Sequence, residues 1–158
     1  MADREIADIH ETLEQMAKTR STPRIACRKG CAHCCYQFVS ATVPEVLYLA
    51  DHLREKLAPA ELAALQERIG RHVEVQRGLS DDEIGTSVAP ACPLLVGDAC
   101  VGFEARPLSC RGFNSYDEET CAAFRRGEQD LVLDFCEAQR EIVEAVRMGM
   151  LQGSATLA

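Results

Sequence analysis

The stretch CRKGCAHCC, residues 27–35, places four thiols within nine positions of the chain. On a continuous helix, at about 100° per residue, these thiols would lie within about 100° of one another on one face. One face can supply two or three ligands, but it cannot surround an ion tetrahedrally. In a loop the same residues could wrap further, and Lys29-Gly30 favours a turn. In either geometry, at least one further ligand is expected from elsewhere in the chain.

A second cysteine-rich segment is the natural source of that ligand. Residues 85–114 hold four glycines, three prolines and three cysteines, with no sustained hydrophobic period. A structureless stretch of this length inside a compact domain is usually functional or held by something other than regular hydrogen bonding. The sequence therefore predicts that residues 27–35 meet residues 92–110, with a metal joining the two segments.

The composition is that of an ordinary globular domain and restricts the possible partners. Apolar residues make up 47% and charged residues 27% of 158 residues, which indicates one domain over residues 1–158. The formal charge is −8 and tryptophan is absent, so neither nucleic acid nor an anionic membrane is an expected partner. The N-terminal stretch is charged and amphipathic, and no apolar run reaches the roughly 18–20 residues of a membrane span. We expect a cytoplasmic protein.

That location bears on the nine cysteines. Disulfides are rare in a reducing compartment, where clustered cysteines more often bind metal or take part in catalysis. The odd number of cysteines is a further objection to a purely disulfide framework. Zinc and iron both suit thiolate ligands.

Most of the chain has helical patterns. Hydrophobic spacing, prolines and capping boxes predict helices at residues 3–19, after Thr42-Val-Pro-Glu45, from Pro59 to about Gly78, at 115–127 and at 129–151. Ser80-Asp-Asp-Glu83 is a further capping-box match that predicts only a short turn. The fold class is therefore all-α: a small helical domain with an irregular cysteine-rich segment, about 85–114, packed against it through a metal site.

Charged residues and histidines near the cysteines are weaker signals. An all-thiolate zinc site carries a charge of −2, so cations beside it would help; Arg28, Lys29, Arg106 and Arg111 flank the cysteines. His33 is expected to face solvent or to be hydrogen-bonded. The other three histidines are interpreted as surface residues of helices.

Two sequence blocks carry a family resemblance. CRKGCAHCC fits a C-x3-C-x2-CC pattern, and CPLLVGDACVGFEARPLSCRGF, residues 92–113, fits the second half of the same signature. Together they resemble the YkgJ-type cysteine-cluster family, described as chelators of zinc or iron. Val101-Gly102 replaces the more usual bulky apolar pair, which bears on packing more than on ligation.

The resemblance implies metal binding by the signature cysteines, with zinc or iron as the cofactor. These are Cys27, Cys31, Cys34, Cys35, Cys92, Cys100 and Cys110. The domain is also similar to one in flagellin lysine methylases, where an iron–sulfur cluster is implied. Cys121 and Cys136 lie outside the signature, and each is expected to be a buried thiol of a helix.

Three functional hypotheses stay open. The first is a metal-binding protein that holds zinc or iron through thiolates. The second is an iron–sulfur protein that acts in redox chemistry or as a methylase-associated module. The third is a thiol redox or metal sensor, for which the adjacent Cys34-Cys35 pair is the sequence support. Radical S-adenosylmethionine chemistry is disfavoured because no alternating strands follow the cysteines. No nucleophile–base pattern indicates an enzyme, and no protein partner is indicated.

Overall fold

The computed structural model describes residues 2–20, 25–80, 83–84, 90–128, 140–141, 143–146 and 148. Three long helices come first: α1 (Ala2–Arg20), α2 (Val43–Lys56) and α3 (Pro59–Arg77). Two shorter helices follow, α4 (Leu108–Gly112) and α5 (Glu118–Arg125), and the described positions between 140 and 148 are also helical. The prediction of an all-α protein is confirmed. No helix within these ranges is long and apolar enough to cross a membrane.

The described core lies where α1, α4 and the C-terminal helical residues meet. Leu13, Leu108 and Val143 are each at most 3% exposed and pack together, with Ile9 and Val146 at their edge. The predicted amphipathic face of α1 is therefore buried against the segment that carries Cys110. Of the apolar face predicted for residues 129–151, Leu131, Phe135, Ile142 and Met150 lie outside the described residues.

The starts of α2 and α3 are set by capping residues. Thr42 and Glu45 form the predicted capping box: the Glu45 carboxylate accepts from the Thr42 backbone N–H and hydroxyl, both at 2.7 Å. At the start of α3, Glu61 accepts from the Ala58 N–H at 2.8 Å. A proline in the first turn of each helix removes an N–H that would otherwise lack a partner.

The segment expected to be irregular contains short regular pieces, which corrects the sequence prediction. Strands β1 (Leu95–Val96) and β2 (Ala99–Cys100) form an antiparallel hairpin, and a 3₁₀ turn spans Phe103–Ala105 before α4. Gly97, with φ at +61°, makes the reversal between the strands possible. Pieces of two to five residues are too short to show a hydrophobic period, so the sequence pattern missed them. Residues 85–89 lie outside the described residues.

The start of α5 is a second correction. A capping box beginning at Ser115 was predicted, but the N-cap is Asp117, whose side chain accepts from the Glu119 N–H at 3.0 Å. Ser115 is buried, and its hydroxyl bonds the backbone of Asp117. The helix therefore begins later than the capping-box pattern indicated, at Glu118.

Two buried charged side chains connect the helices to the cysteine segments. Glu45, 1% exposed, accepts from the Leu108 N–H at 2.6 Å and so joins α2 to α4. Arg111, 2% exposed, donates to Glu14 on α1 at 3.0 Å and to the backbone carbonyls of Glu104 and Arg106. These contacts fix the position of α4, and hence of Cys110, relative to the long helices.

Candidate metal centre

All seven signature cysteines line one cavity of about 100 Å³. They are Cys27, Cys31, Cys34, Cys35, Cys92, Cys100 and Cys110, each a partly buried free thiol. The two cysteine segments therefore meet, as the sequence predicted. Among the described residues, however, no three of these sulfur atoms lie within 4.8 Å of one another.

Residues 27–35 form the first wall of the cavity, which is neither a continuous helix nor an open loop. Gly30, with φ at +93°, reverses the chain between Cys27 and Cys31, and a 3₁₀ helix over His33–Tyr36 follows. This turn was predicted, and it separates the first thiol from the others. Cys27 is anchored across the molecule because its sulfur accepts from the Ser115 N–H at 3.3 Å.

The second wall is built from the hairpin and α4. The Cys92 N–H donates to the Cys35 carbonyl at 2.8 Å, which fastens the two walls together. Cys100 ends the hairpin, and Cys110 lies on α4. From the outside, the Arg68 guanidinium of α3 donates to the Pro93 carbonyl at 2.8 Å and holds the residue after Cys92. Each thiol of this wall therefore belongs to an element fixed by its own hydrogen bonds.

Burial keeps the thiols protonated when no cation is bound. It raises the pKa of Cys27 to about 11 and that of Cys110 to about 12. The pKa values of Cys31, Cys92 and Cys100 are raised for the same reason. A metal ion would replace these protons and neutralise the thiolates, which is the chemistry that a buried set of soft donors favours.

Cys34 interacts electrostatically with thiols of both cysteine segments. Its pKa is raised first by a hydrogen bond with the Cys35 thiol and then by burial. A negative charge on its sulfur would raise the pKa of thiols from both walls and of one beyond them. These are Cys27, Cys31, Cys92, Cys100, Cys110 and Cys121. An ion bound beside Cys34 would therefore relieve repulsion throughout the cluster.

One of the four flanking cations, Arg106, interacts electrostatically with thiols of both cysteine segments. The charge of the Arg106 guanidinium acts to lower the pKa of Cys34, Cys100 and Cys110. Burial outweighs it at Cys100 and Cys110, and the hydrogen bond with Cys35 together with burial outweighs it at Cys34. It stacks on the Phe103 ring at 3.9 Å and donates to the Phe103 carbonyl at 2.8 Å. Arg106 is thus held where it can balance thiolate charge.

The other three cations have carboxylate partners. Arg28 pairs with Glu118 at 2.6 Å, Lys29 with Glu104 at 3.1 Å, and Arg111 with Glu14 at 3.0 Å. The first two pairs are largely exposed, and such pairs contribute little to stability.

A group of mixed donors lies beside the cysteine cavity. Ligand atoms of Cys31, His33 and Glu118 all lie within 4.8 Å of one another, and all three residues are half-buried. The sequence analysis expected His33 to face solvent or to be hydrogen-bonded, and it did not consider Glu118 as a ligand. The available signal was that His33 lies inside the cysteine motif, and that Glu118 and Cys121 are three apart, which puts them on one face of a helix.

Two other sequence interpretations concern residues near the site. Cys121 is buried, as expected, but it also interacts electrostatically with Cys31 and Cys34. His10 was interpreted as a surface residue, which is wrong: it is 5% exposed and packs edge-on against Tyr48. Burial and the neighbouring Arg111 lower its pKa to about 3. Cys136 lies outside the described residues.

Residues 26–137 match the CxxCxxCC family, described as a "putative zinc- or iron-chelating domain". The match covers both cysteine walls and more than two thirds of the chain. The chain belongs to this family. No curated protein and no solved structure matches it significantly.

Membership in the CxxCxxCC family agrees with the donors found here. Zinc and iron are bound by thiolates in proteins, and seven thiols converge on one cavity. The expectation of a zinc or iron partner is therefore confirmed at the level of the family.

Proposed function

We propose that this CxxCxxCC protein chelates zinc or iron through its signature cysteines, within a single domain. The observation that carries the proposal is the convergence of thiols from two distant segments on one cavity. A set of thiols that merely filled a hydrophobic core would not require a cation beside it, as the half-buried Arg106 is. We also propose that all seven signature cysteines take part in metal binding, as the family resemblance implies.

Four of these thiols make the principal site, and we call them the inner thiols: Cys34, Cys92, Cys100 and Cys110. Each interacts electrostatically with the other three. All come from the two walls, so an ion held by them would fasten residues 27–35 to residues 92–110. Four thiolates complete the tetrahedral shell that structural zinc prefers. Cys27, Cys31 and Cys35 surround this set.

The test is the metal content of variants of the inner thiols. Protein purified anaerobically should hold zinc or iron, and a Cys92→Ser/Cys110→Ser double variant should lose at least one ion per chain. Ser109→Ala is the matched control, because Ser109 lies on the same helix and its hydroxyl bonds the Ser40 carbonyl at 2.8 Å. Full metal content in the double variant would refute a site built from both walls.

An iron–sulfur cluster is the second candidate, and the size of the cavity favours it. Zinc–sulfur bonds of about 2.3 Å place the sulfurs of a mononuclear site about 3.8 Å apart. The sulfurs here are spread more widely, around a cavity of about 100 Å³, where a liquid water takes roughly 30 Å³. Four cysteine thiolates are also the usual ligands of such clusters.

Spectroscopy separates the two candidates. A cluster would give brown protein with iron and acid-labile sulfide after anaerobic purification. Colourless protein with stoichiometric zinc would rule the cluster out and leave mononuclear chelation.

A further inference from the structure

We propose that Cys31, His33 and Glu118 form a second, outer metal site that binds zinc independently of the inner thiols. It goes beyond the proposed function because two of its three donors lie outside the cysteine signature, and none belongs to the inner four. The donors of this outer site supply one sulfur, one nitrogen and one oxygen, all of which are common zinc ligands.

The donor atoms of the outer site lie slightly farther apart than the ligands of one bound zinc ion would. The His33 Nε2 and Glu118 Oε1 atoms are 3.7 Å apart, which is long for a hydrogen bond. Two ligands of one tetrahedral zinc, at bond lengths of about 2.0–2.1 Å, lie roughly 3.3 Å apart, so a small movement brings both onto one ion. The Cys31 sulfur completes the group within 4.8 Å.

Local contacts hold two of the donors in place. Cys31 and His33 are two residues apart, and His33 begins the 3₁₀ helix over His33–Tyr36, so the backbone keeps the two residues close together. The His33 nitrogen that lies near Glu118 is Nε2, so the imidazole would bind the ion through Nε2, one of the two ring nitrogens that histidine uses as a metal ligand.

The Arg28 guanidinium neutralises the Glu118 carboxylate, which a bound metal ion would otherwise do. Its guanidinium donates to both Glu118 oxygens, at 2.6 and 3.2 Å. The Arg28 side chain is 62% exposed, so it can swing into solvent when a divalent ion arrives. A thiolate and a carboxylate with one Zn²⁺ make a neutral site, which has no further need of Arg28.

The outer site should exchange its ion more readily than the inner one. It offers three protein ligands, which leaves a coordination position for water, and His33 and Glu118 are 23% and 39% exposed. A mild chelator should therefore remove the outer ion first and leave the inner thiols loaded.

The experiment is zinc titration of reduced, metal-free protein, with stoichiometry by elemental analysis and folding checked by circular dichroism. The wild type should bind one zinc more than either His33→Ala or Glu118→Gln, with the weaker site lost or weakened at least about tenfold. Glu119→Gln is the matched control, because Glu119 is the next residue of α5 and pairs instead with Arg126.

A further variant separates a metal site from a simple ion pair. Arg28→Gln breaks the same salt bridge as Glu118→Gln but removes a competitor rather than a ligand, so it should keep or tighten the outer zinc. Equal loss of zinc in both variants would overturn the proposal, as would wild-type stoichiometry in His33→Ala and Glu118→Gln. A wild type that binds no metal would refute the proposed function itself, which distinguishes the two failures.

Discussion

Glu45 gives the sharpest prediction about how the helices hold the cysteine walls. Its carboxylate accepts three hydrogen bonds in a buried position, two from Thr42 and one from the Leu108 N–H of α4. Replacement by alanine removes all three and leaves two backbone N–H groups without partners. Cys110 lies two residues after Leu108, so the loss reaches the second wall of the cavity.

The expected loss is built from two contributions. Removal of a capping interaction costs about 1 kcal/mol. A buried hydrogen bond to a charged group contributes about 1.5–3 kcal/mol, and here its loss strands the Leu108 N–H. Glu45→Ala should therefore lower the free energy of unfolding by about 3 kcal/mol, a large fraction of the stability of a domain of this size.

Urea unfolding of the reduced, metal-free protein, followed by circular dichroism, measures this loss. Glu61→Ala is the matched control: Glu61 occupies the same position of α3, but it is exposed and accepts only from the Ala58 N–H. The control should lose about 1 kcal/mol or less. Equal losses in the two variants would show that the bond to Leu108 contributes nothing, and would refute the reasoning.

Three other perturbations test the charges of the molecule. Arg106→Met should weaken metal binding about tenfold or more, because a cation beside the thiolates is lost. The control is Arg125→Met, which removes an exposed arginine stacked on an aromatic ring and should leave metal binding unchanged. Competition with a chelator measures both affinities, and equal affinities would contradict the role of Arg106. The pKa of His10 is about 3 in the folded protein, against an ordinary value of 6.5. Between these pH values the folded protein keeps His10 neutral while the unfolded chain takes up a proton. The free energy of unfolding should therefore fall as the pH drops from about 6.5 toward 3, at about 1.4 kcal/mol per pH unit. His10→Phe should flatten this part of the urea-midpoint profile between pH 4 and 7, and an unchanged slope would count against it. The pKa values of the four inner thiols, Cys34, Cys92, Cys100 and Cys110, are all raised, so each is protonated at pH 7.5 before an ion binds. Binding of the inner ion should therefore release about four protons, measurable with a pH indicator; release of none would exclude thiol ligation.

Local rules predicted the long helices well. The capping box at Thr42 and Glu45, the proline that opens α3 and the hydrophobic spacing of α1 all act within a few residues, so the sequence displays them directly. The meeting of the two cysteine segments was predicted by a different argument, from the inability of one helical face to surround an ion.

Features set by tertiary packing were not predictable in this way. His10 looks like a surface residue of α1, and only the placement of Tyr48 and Arg111 around it shows that it is buried and neutral. The approach of Glu118 to His33 spans 85 residues of sequence and depends on how α5 docks on the 3₁₀ helix. No local pattern encodes such a contact.

The hydrogen bonds that join Cys27 to Ser115 and Cys35 to Cys92 connect early and late parts of the chain, which has a consequence for biosynthesis. A nascent chain that has left the ribosome only as far as α3 displays four reduced thiols with no opposite wall. In the proposed inner site, the ion could be bound only after residue 110 has emerged, so loading would come late in synthesis or after it. Until then the four early cysteines would be open to oxidation, and the order in which the chain emerges would favour a prompt supply of metal.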